Sequence, residues 1–120
     1  TETYQKWDKN GNILEDVEYN KAGTFKKKES HKYNKNNDPT EEIIYDEKGN
    51  VVTKTIIEYN SNNDRSLETV YDINDKMTEK TQYGYNAKGQ KIFELTMDTN
   101  AKVLKKSIYI YDYKNNLLIF

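Results

Sequence analysis

One short motif recurs from one end of this chain to the other. In its clearest copy, Tyr45-Asp46-Glu47-Lys48-Gly49-Asn50, an aromatic anchor precedes an acid or its amide, two polar residues, a residue that tolerates positive φ, and another polar residue. Nine anchors are separated by gaps of 12 and 14 residues in alternation. The anchors are Trp7, Tyr19, Tyr33, Tyr45, Tyr59, Tyr71, Tyr85, Met97 and Tyr111. A fixed period is typical of repeat proteins, and the full repeat here is 26 residues long.

The residues after each anchor predict a tight turn. Asp or Asn follows every anchor and can accept a hydrogen bond from its own backbone two residues on. The fourth residue after the anchor is of a type that enters the left-handed region at low cost, except at Ala101. These nine positions are Gly11, Gly23, Asn37, Gly49, Asn63, Asp75, Gly89, Ala101 and Asn115. The pattern therefore predicts a type I turn closed by a left-handed bulge residue.

Calcium binding is the alternative explanation of these Asp and Asn residues. Asp8, Asn10 and Asn12 alternate as an EF-hand loop begins, but that loop requires Gly at its sixth position and Glu at its twelfth. Those places hold Ile13 and Tyr19. We therefore interpret the motif as turn chemistry and expect neither a metal nor a cofactor.

Composition bounds the class of protein. Hydrophobic residues make up 34% of the chain, charged residues 32%, and the mean hydropathy is -1.12. Such values are typical of disordered chains, but the regular turns and the eleven Tyr residues favour an ordered sheet with a thin core. The net charge of -1, with its signs interleaved, provides no basic field for nucleic acid. The sequence lacks cysteine and any apolar run long enough to span a membrane.

Between the turns, the chain predicts β-strands only. Apolar residues nowhere follow a helical period, and Pro39 stands at the first residue of a strand, where a missing N–H does least harm. The predicted strands are Thr1–Trp7, Ile13–Tyr19, Phe25–Tyr33, Pro39–Tyr45, Val51–Tyr59, Arg65–Tyr71, Met77–Tyr85, Lys91–Met97, Val103–Tyr111 and Leu117–Phe120. We predict an all-β fold: an antiparallel meander of about ten strands in a single coiled sheet. The whole chain, 1–120, is then one β-repeat domain, with four 26-residue repeats from Trp7 and a partial fifth.

Alternation along the strands predicts how the two faces of the sheet differ. Every anchor lies at an odd-numbered position, and a bulged type I hairpin would pair Tyr45 with Val51 and Tyr59 with Arg65. We therefore expect all anchors on one aromatic face and the Lys and Glu residues on the opposite face. If all the turns share one geometry, short and long strands alternate, and the resulting stagger coils the sheet.

The titratable residues give little support for catalysis. His31, the only histidine, lies among lysines without a Ser or Cys nucleophile constellation. Glu15, Glu29 and Glu41 are predicted to share a face, and a carboxylate pair could in principle hydrolyse glycosides. Lys27 lies among them, however, and a ladder of ion pairs accounts for the same residues. We expect no enzymatic activity.

Tyrosine suggests binding as well as structure. Tyr stripes can present a stacking and hydrogen-bonding surface to a carbohydrate or a protein, although a Tyr fixed to each turn more simply closes its own hairpin. Residues that depart from the repeat are better candidates for ligand or protein contact: Trp7, Tyr83, Tyr109 and Tyr113.

The turns resemble the YD repeats of Rhs-like bacterial cell-surface and toxin-associated proteins. The best copies are Tyr45-Asp46-Glu47-Lys48-Gly49-Asn50 and Tyr85-Asn86-Ala87-Lys88-Gly89-Gln90. Weaker resemblances are to MORN-like hairpin repeats and to the single-layer sheet of spirochaete outer surface proteins. The YD resemblance implies a bacterial, exported protein whose hairpin repeats form a spiral sheet and serve as scaffold or shell. It carries no catalytic residue to this chain.

These observations favour a non-enzymatic surface or secreted module that acts as a scaffold or a recognition surface. The alternative is a carbohydrate-binding domain or a fragment of a larger toxin-like or glycan-active protein. We expect an extracellular, periplasmic or cell-surface location, with the signal already removed. No partnership with nucleic acid and no membrane span are expected.

The last predicted strand, Leu117–Phe120, is apolar on both faces and has no Lys, Pro or bulge to blunt it. We expect this edge to be covered by curling of the sheet, by further sequence, or by a second copy in a homodimer.

Overall fold

The computed structural model describes residues 2–118, and they form antiparallel strands joined by tight turns. The strands are β1 (Glu2–Trp7), β2 (Ile13–Tyr19), β3 (Phe25–Tyr33), β4 (Pro39–Tyr45), β5 (Val51–Tyr59), β6 (Arg65–Tyr71), β7 (Met77–Tyr85), β8 (Lys91–Asp98), β9 (Val103–Ile108), β10 (Ile110–Tyr111) and β11 (Leu117–Leu118). The all-β prediction is confirmed. Within the same residues, no helix has the length and hydrophobicity needed to cross a membrane.

The strands follow one another in a meander. Nine of them, β1 to β9, form one antiparallel sheet in sequence order, and β10 pairs with β11 in a small second sheet. The predicted ninth strand is interrupted at Tyr109, although the Tyr109 N–H still donates to the Ile92 carbonyl oxygen at 2.9 Å. Of the predicted tenth strand, only Leu117–Leu118 is described; Ile119 and Phe120 lie outside the described residues, as does Thr1 of the predicted first strand.

Every turn is built in the same way. In the turn after Tyr45, the Asp46 N–H donates to the Asn50 carbonyl oxygen at 2.9 Å, and the Gly49 N–H donates to the Asp46 carbonyl oxygen at 3.0 Å. The Asp46 side chain accepts from the backbone N–H groups of Lys48 and Asn50, both at 2.9 Å. All nine predicted left-handed positions have positive φ, including Ala101 at 63°. The turn prediction is confirmed.

The register beside each turn overturns the prediction of a single aromatic face. Tyr45 pairs with Val51 as predicted, but the next pair is Ile44 with Thr53. Two residues therefore oppose Tyr45, and this β-bulge reverses the parity of the side chains from one strand to the next. The same shift occurs beside every turn from β1 to β9. Successive anchors consequently point to opposite faces, as Tyr45 and Tyr59 do.

The repeat places one column of charge on each face. One face, here called the lysine face, carries lysines at one position of the long strands: Lys28, Lys54, Lys80 and Lys106. The other, the acid face, carries carboxylates at one position of the short strands: Asp16, Glu42, Glu68 and Glu94. The predicted charged face is thus divided between the two faces of the sheet, because the parity reversal separates even-numbered residues of neighbouring strands.

The core is thin and lies on both faces. The least exposed side chains are those of Val17 at 7%, Ile57 at 4% and Thr69 at 7%. Val17 and Thr69 lie on the lysine face in different repeats, whereas Ile57 lies on the acid face. The sheet is not closed into a barrel. Its principal extents are 58, 37 and 24 Å, so the sheet departs from a flat layer.

Candidate functional site

The structure brings together two of the four predicted contact residues. Tyr83 on β7 and Tyr109 after β9 lie on the acid face, on either side of β8. Trp7 lies on β1 at the far edge of the sheet and is 52% exposed. Tyr113 lies in the last turn, 88% exposed, with the Lys114 ammonium 5.6 Å from its ring centroid. Trp7 and Tyr113 therefore do not belong to a common site with Tyr83.

Lys91 links the two tyrosines. Its Nζ atom lies 5.8 Å from the ring centroid of Tyr83 and 5.0 Å from that of Tyr109. The Lys91 ammonium also forms an ion pair with Glu94, and this hydrogen-bonded contact is the main cause that raises the lysine's pKa. Glu94 is held directly opposite Tyr83 by the pairing of β7 with β8. The ammonium is thus fixed between two rings and a carboxylate.

A second ion pair lies beside Tyr83 on the same face. Arg65 and Glu68 of β6 form a contact of 2.7 Å. Burial, and then the carboxylate of Glu68, raise the pKa of Tyr83 to about 12. The tyrosine–charge cluster is defined by six residues: Arg65, Glu68, Tyr83, Lys91, Glu94 and Tyr109.

Four members of this cluster were not predicted from the sequence: Arg65, Glu68, Lys91 and Glu94. Glu68 and Glu94 belong to the acid column, whose 26-residue spacing was visible in the sequence. The spacing does not reveal the cluster, because the sequence predicts both charged columns on one face. Arg65 and Lys91 occupy the same position of successive repeats, directly opposite the anchors Tyr59 and Tyr85.

The cluster offers aromatic rings beside charged donors and acceptors on an open sheet face. Rings of this kind stack against apolar faces of a ligand, and the neighbouring polar groups bind its hydroxyls. For metal binding, residues 2–118 contain no group of three or more His, Asp and Glu side chains with suitable geometry.

Four of the anchor tyrosines form hydrogen bonds within the sheet through their hydroxyl groups. These four tyrosines lie where their strands end, at the same row of turns. Each donates to the carbonyl oxygen of the residue twenty positions earlier, at 2.6 to 2.8 Å. These pairs, here called the hydroxyl–carbonyl ladder, are Tyr33 with Ile13, Tyr59 with Pro39, Tyr85 with Arg65, and Tyr111 with Lys91. The ladder therefore repeats with the 26-residue period of the sequence.

Side chains also link neighbouring turns in that row. The Asn12 Nδ2 atom donates to the Asn37 side-chain oxygen at 3.0 Å, and the Asn36 Nδ2 atom donates to that of Asn63 at 3.0 Å. These acceptors are left-handed turn residues. An Asn at this position therefore closes its own turn and also accepts a hydrogen bond from the turn one repeat earlier.

The carboxylates considered for catalysis do not share a face. Glu15 and Glu41 lie on the lysine face, where Glu15 pairs with Lys28 at 2.9 Å and Glu41 with Lys32 at 3.1 Å. Glu29 lies on the acid face, with Lys27 at 3.7 Å and the imidazole of His31 at 3.8 Å. The prediction of a common face was wrong because it assumed constant parity. Each of the three carboxylates lies in an ion pair, as the alternative interpretation predicts, but these pairs are divided between the two faces.

Comparisons with known proteins give a distant likeness in structure only. No protein-family model matches the chain. No curated protein matches it either. Similar solved structures include crystal structures of TcdB2-TccC3-Cdc42 (TM-score 0.39), TcdB2-TccC3-TEV (TM-score 0.42) and TcdB2-TccC3 (TM-score 0.39), each 13% identical in sequence. The alignments cover 93 to 97% of this chain, which spans only 7% of the length of those chains. A likeness this low assigns no family and no activity to the chain.

Proposed function

We propose that this chain is a non-enzymatic repeat module of a bacterial surface or secreted protein and that it acts as a scaffold. The hydroxyl–carbonyl ladder carries this proposal. The side chains that recur most regularly in the sequence form bonds between neighbouring strands, as Tyr59 does with Pro39. A sheet held by contacts between nearest neighbours can be lengthened by whole repeats without a change in its local structure. That property suits a spacer or a shell.

The bacterial origin and the exported location rest on the resemblance to YD repeats. The turn chemistry at Tyr45-Asp46 and the hairpin repeat support this resemblance. Direct fractionation of the source cells would test the location, and recovery of the protein in the cytoplasm alone would contradict it.

The distance between equivalent turns tests the scaffold function. Lys9 and Ala87 occupy the same place in turns three repeats apart, and the native chain has no cysteine to interfere with labelling. Dyes on Lys9→Cys and Ala87→Cys should separate further when residues 46–71 are duplicated. The expected increase is about 10 Å, which is two interstrand spacings. An unchanged distance in a folded duplicate would contradict the proposal.

Carbohydrate recognition is the second candidate function, and the tyrosine–charge cluster favours it. Lys91 between Tyr83 and Tyr109 places donors and stacking surfaces side by side. The test is an NMR titration of labelled protein with soluble polysaccharides. Trp7 fluorescence would be a poor reporter, because six strand spacings, roughly 29 Å, separate β1 from β7.

The two functions predict different results. Saturable shifts at Tyr83 and Tyr109 that disappear in Tyr83→Ala, but persist in the control Tyr113→Ala, would favour recognition. If the chain is only a scaffold, the titration should give no saturable shifts, and the separation of the dyes should still increase when a repeat is added.

A further inference from the structure

The charged columns are only partly neutralised within one molecule. Lys28 pairs with Glu15 at 2.9 Å, and Lys54 pairs with Asp75 at 3.3 Å. Within residues 2–118, the other two lysines of the column, Lys80 and Lys106, form no ion pair. The first half of the lysine column is therefore satisfied internally and the second half is not.

The acid column shows the opposite distribution. Glu68 pairs with Arg65, and Glu94 pairs with Lys91, so the second half of this column is neutralised. Asp16 and Glu42, in the first half, form no ion pair among the described residues. The unpaired lysines and the unpaired carboxylates thus lie on opposite faces and in opposite halves of the sheet.

The two unpaired sets have the same spacing. Lys80 and Lys106 are one repeat apart, on β7 and β9, and Asp16 and Glu42 are one repeat apart, on β2 and β4. Each pair therefore spans two interstrand spacings, about 10 Å. Because both columns derive from the same 26-residue repeat, two such sheets stacked face to face can match the lysines of one with the carboxylates of the other.

Exposed apolar side chains lie near the unpaired charges on both faces. On the lysine face of β8 and β9, Phe93, Leu104 and Ile108 are exposed, the last two at 53% and 50%. The acid face near Asp16 has a groove of about 250 Å³, which Glu18, Glu29 and Lys27 also line. Beside the groove, Ile44 is exposed opposite Glu29.

The exposed area of the chain is large for its mass. Its accessible surface is 8450 Å², whereas a compact monomer of 14.2 kDa would expose about 6,800 Å². Each partner of a standard protein interface buries about 800 Å², so the difference corresponds to about two such interfaces per chain. A chain covered by other copies on both faces would therefore expose about as much surface as an ordinary globular protein.

We propose that a second copy of this chain stacks its lysine face, at Lys80 and Lys106, onto the acid face of the first, at Asp16 and Glu42. The two surfaces differ, so the contact is heterologous: the first copy keeps its lysine surface free, and the second copy keeps its acid surface free. Association therefore continues beyond a dimer. It is also weakened by salt, because the charges that meet are only partly buried.

Sedimentation of the whole chain tests the proposal. The average mass should rise with concentration beyond twice the monomer mass. It should fall toward the monomer mass of 14.2 kDa between about 0.01 M and about 1 M salt, where the Debye length shrinks from about 30 Å to about 3 Å. A chain that stays monomeric at low salt and high concentration would overturn the proposal.

Charge reversal identifies the surfaces. Lys80→Glu with Lys106→Glu should be monomeric alone, and so should Asp16→Lys with Glu42→Lys. A mixture of the two variants should associate, because each then offers the other a complementary surface. Lys9→Glu with Lys48→Glu, in exposed turns, makes the same change in net charge as the lysine reversal and should associate as the native chain does.

Three outcomes would overturn the proposal, provided that circular dichroism shows folded variants. The mixture could remain monomeric, or the turn control could abolish association as well. In the third outcome, both reversals would leave association intact while deletion of residues 117–120 abolishes it. That result would assign the contact to the C-terminal edge strand in place of the faces.

Discussion

The Tyr59 hydroxyl donates a hydrogen bond of 2.6 Å to the carbonyl oxygen of Pro39, on the neighbouring strand. Tyr59 closes the turn after β5, and Pro39 begins β4, so the bond ties the end of one strand to the start of the preceding one. Equivalent bonds occur one repeat earlier and one and two repeats later. The motif that makes each turn therefore also fixes the register between strands.

Removal of this hydroxyl should weaken the fold. Tyr59→Phe leaves the Pro39 carbonyl without its donor and should lower the free energy of unfolding by about 0.5–1.5 kcal/mol, measured by urea denaturation. Tyr45→Phe is the matched control, because the Tyr45 ring contacts Lys28 and its hydroxyl forms no hydrogen bond within residues 2–118. Equal effects of the two substitutions would contradict the ladder.

The left-handed turn positions should respond in opposite directions to substitution. Gly49 has φ of 80°, so Gly49→Val should destabilise the protein by roughly 1–3 kcal/mol. Ala101 has φ of 63°. Ala101→Gly should raise the melting temperature slightly, because glycine has no Cβ atom and adopts this conformation without the steric cost that alanine has. A Gly49→Val protein that melts at the native temperature would show that the turn geometry is wrong.

Gly84 provides space for a neighbouring ring. A Cβ atom at Gly84 would lie 2.0 Å from the Phe93 ring, which packs directly over this position from the paired strand. Gly84→Ala should therefore cost about 1–3 kcal/mol. In a double-mutant cycle, Phe93→Leu should remove most of that cost. Additive effects of the two substitutions would contradict the contact.

Stability should fall at high pH, in part through Tyr83. Its pKa in the folded protein is raised from 10.0 to about 12, first by burial and then by the carboxylate of Glu68. The unfolded chain releases this proton near pH 10 and the folded chain only near pH 12, so the contribution of Tyr83 is complete below pH 10 and is lost up to pH 12. Denaturation across this range should show a shallower decline for Tyr83→Phe. Tyr113→Phe, at a site that is 88% exposed, should follow the native curve, and equal slopes for all three proteins would contradict the assignment.

The local structure could be predicted from the sequence because it depends on neighbouring residues. The type and spacing of turn residues such as Asp46 and Gly49 indicate their conformation, and the strand bounds follow from the turns. Even Ala101, the one residue that broke the rule, adopts positive φ because the hydrogen bonds around Asp98 impose the turn.

The pairing of faces could not be predicted in the same way. The extra residue opposite Tyr45 is Val52, an ordinary strand residue whose type does not mark a bulge. The equivalent displacements beside the other turns separate Lys28 from Asp16, assign Glu29 to another face than Glu15, and assemble the tyrosine–charge cluster. Only Tyr83 and Tyr109 could be selected in advance, because they depart from the repeat.

Two internal deletions test the 26-residue repeat most directly. Removal of residues 46–71 joins Tyr45 to Asp72, restores a Tyr-Asp turn and places a long strand after a short one. Removal of residues 46–59 joins Tyr45 to Asn60 and also restores a turn, but it places one short strand after another and inverts every later strand. We predict that the first deletion unfolds cooperatively, with a denaturant slope reduced by about a fifth, whereas the second loses the sheet. If both deletions fold equally well, or if both fail, the alternating repeat held by the hydroxyl–carbonyl ladder is contradicted.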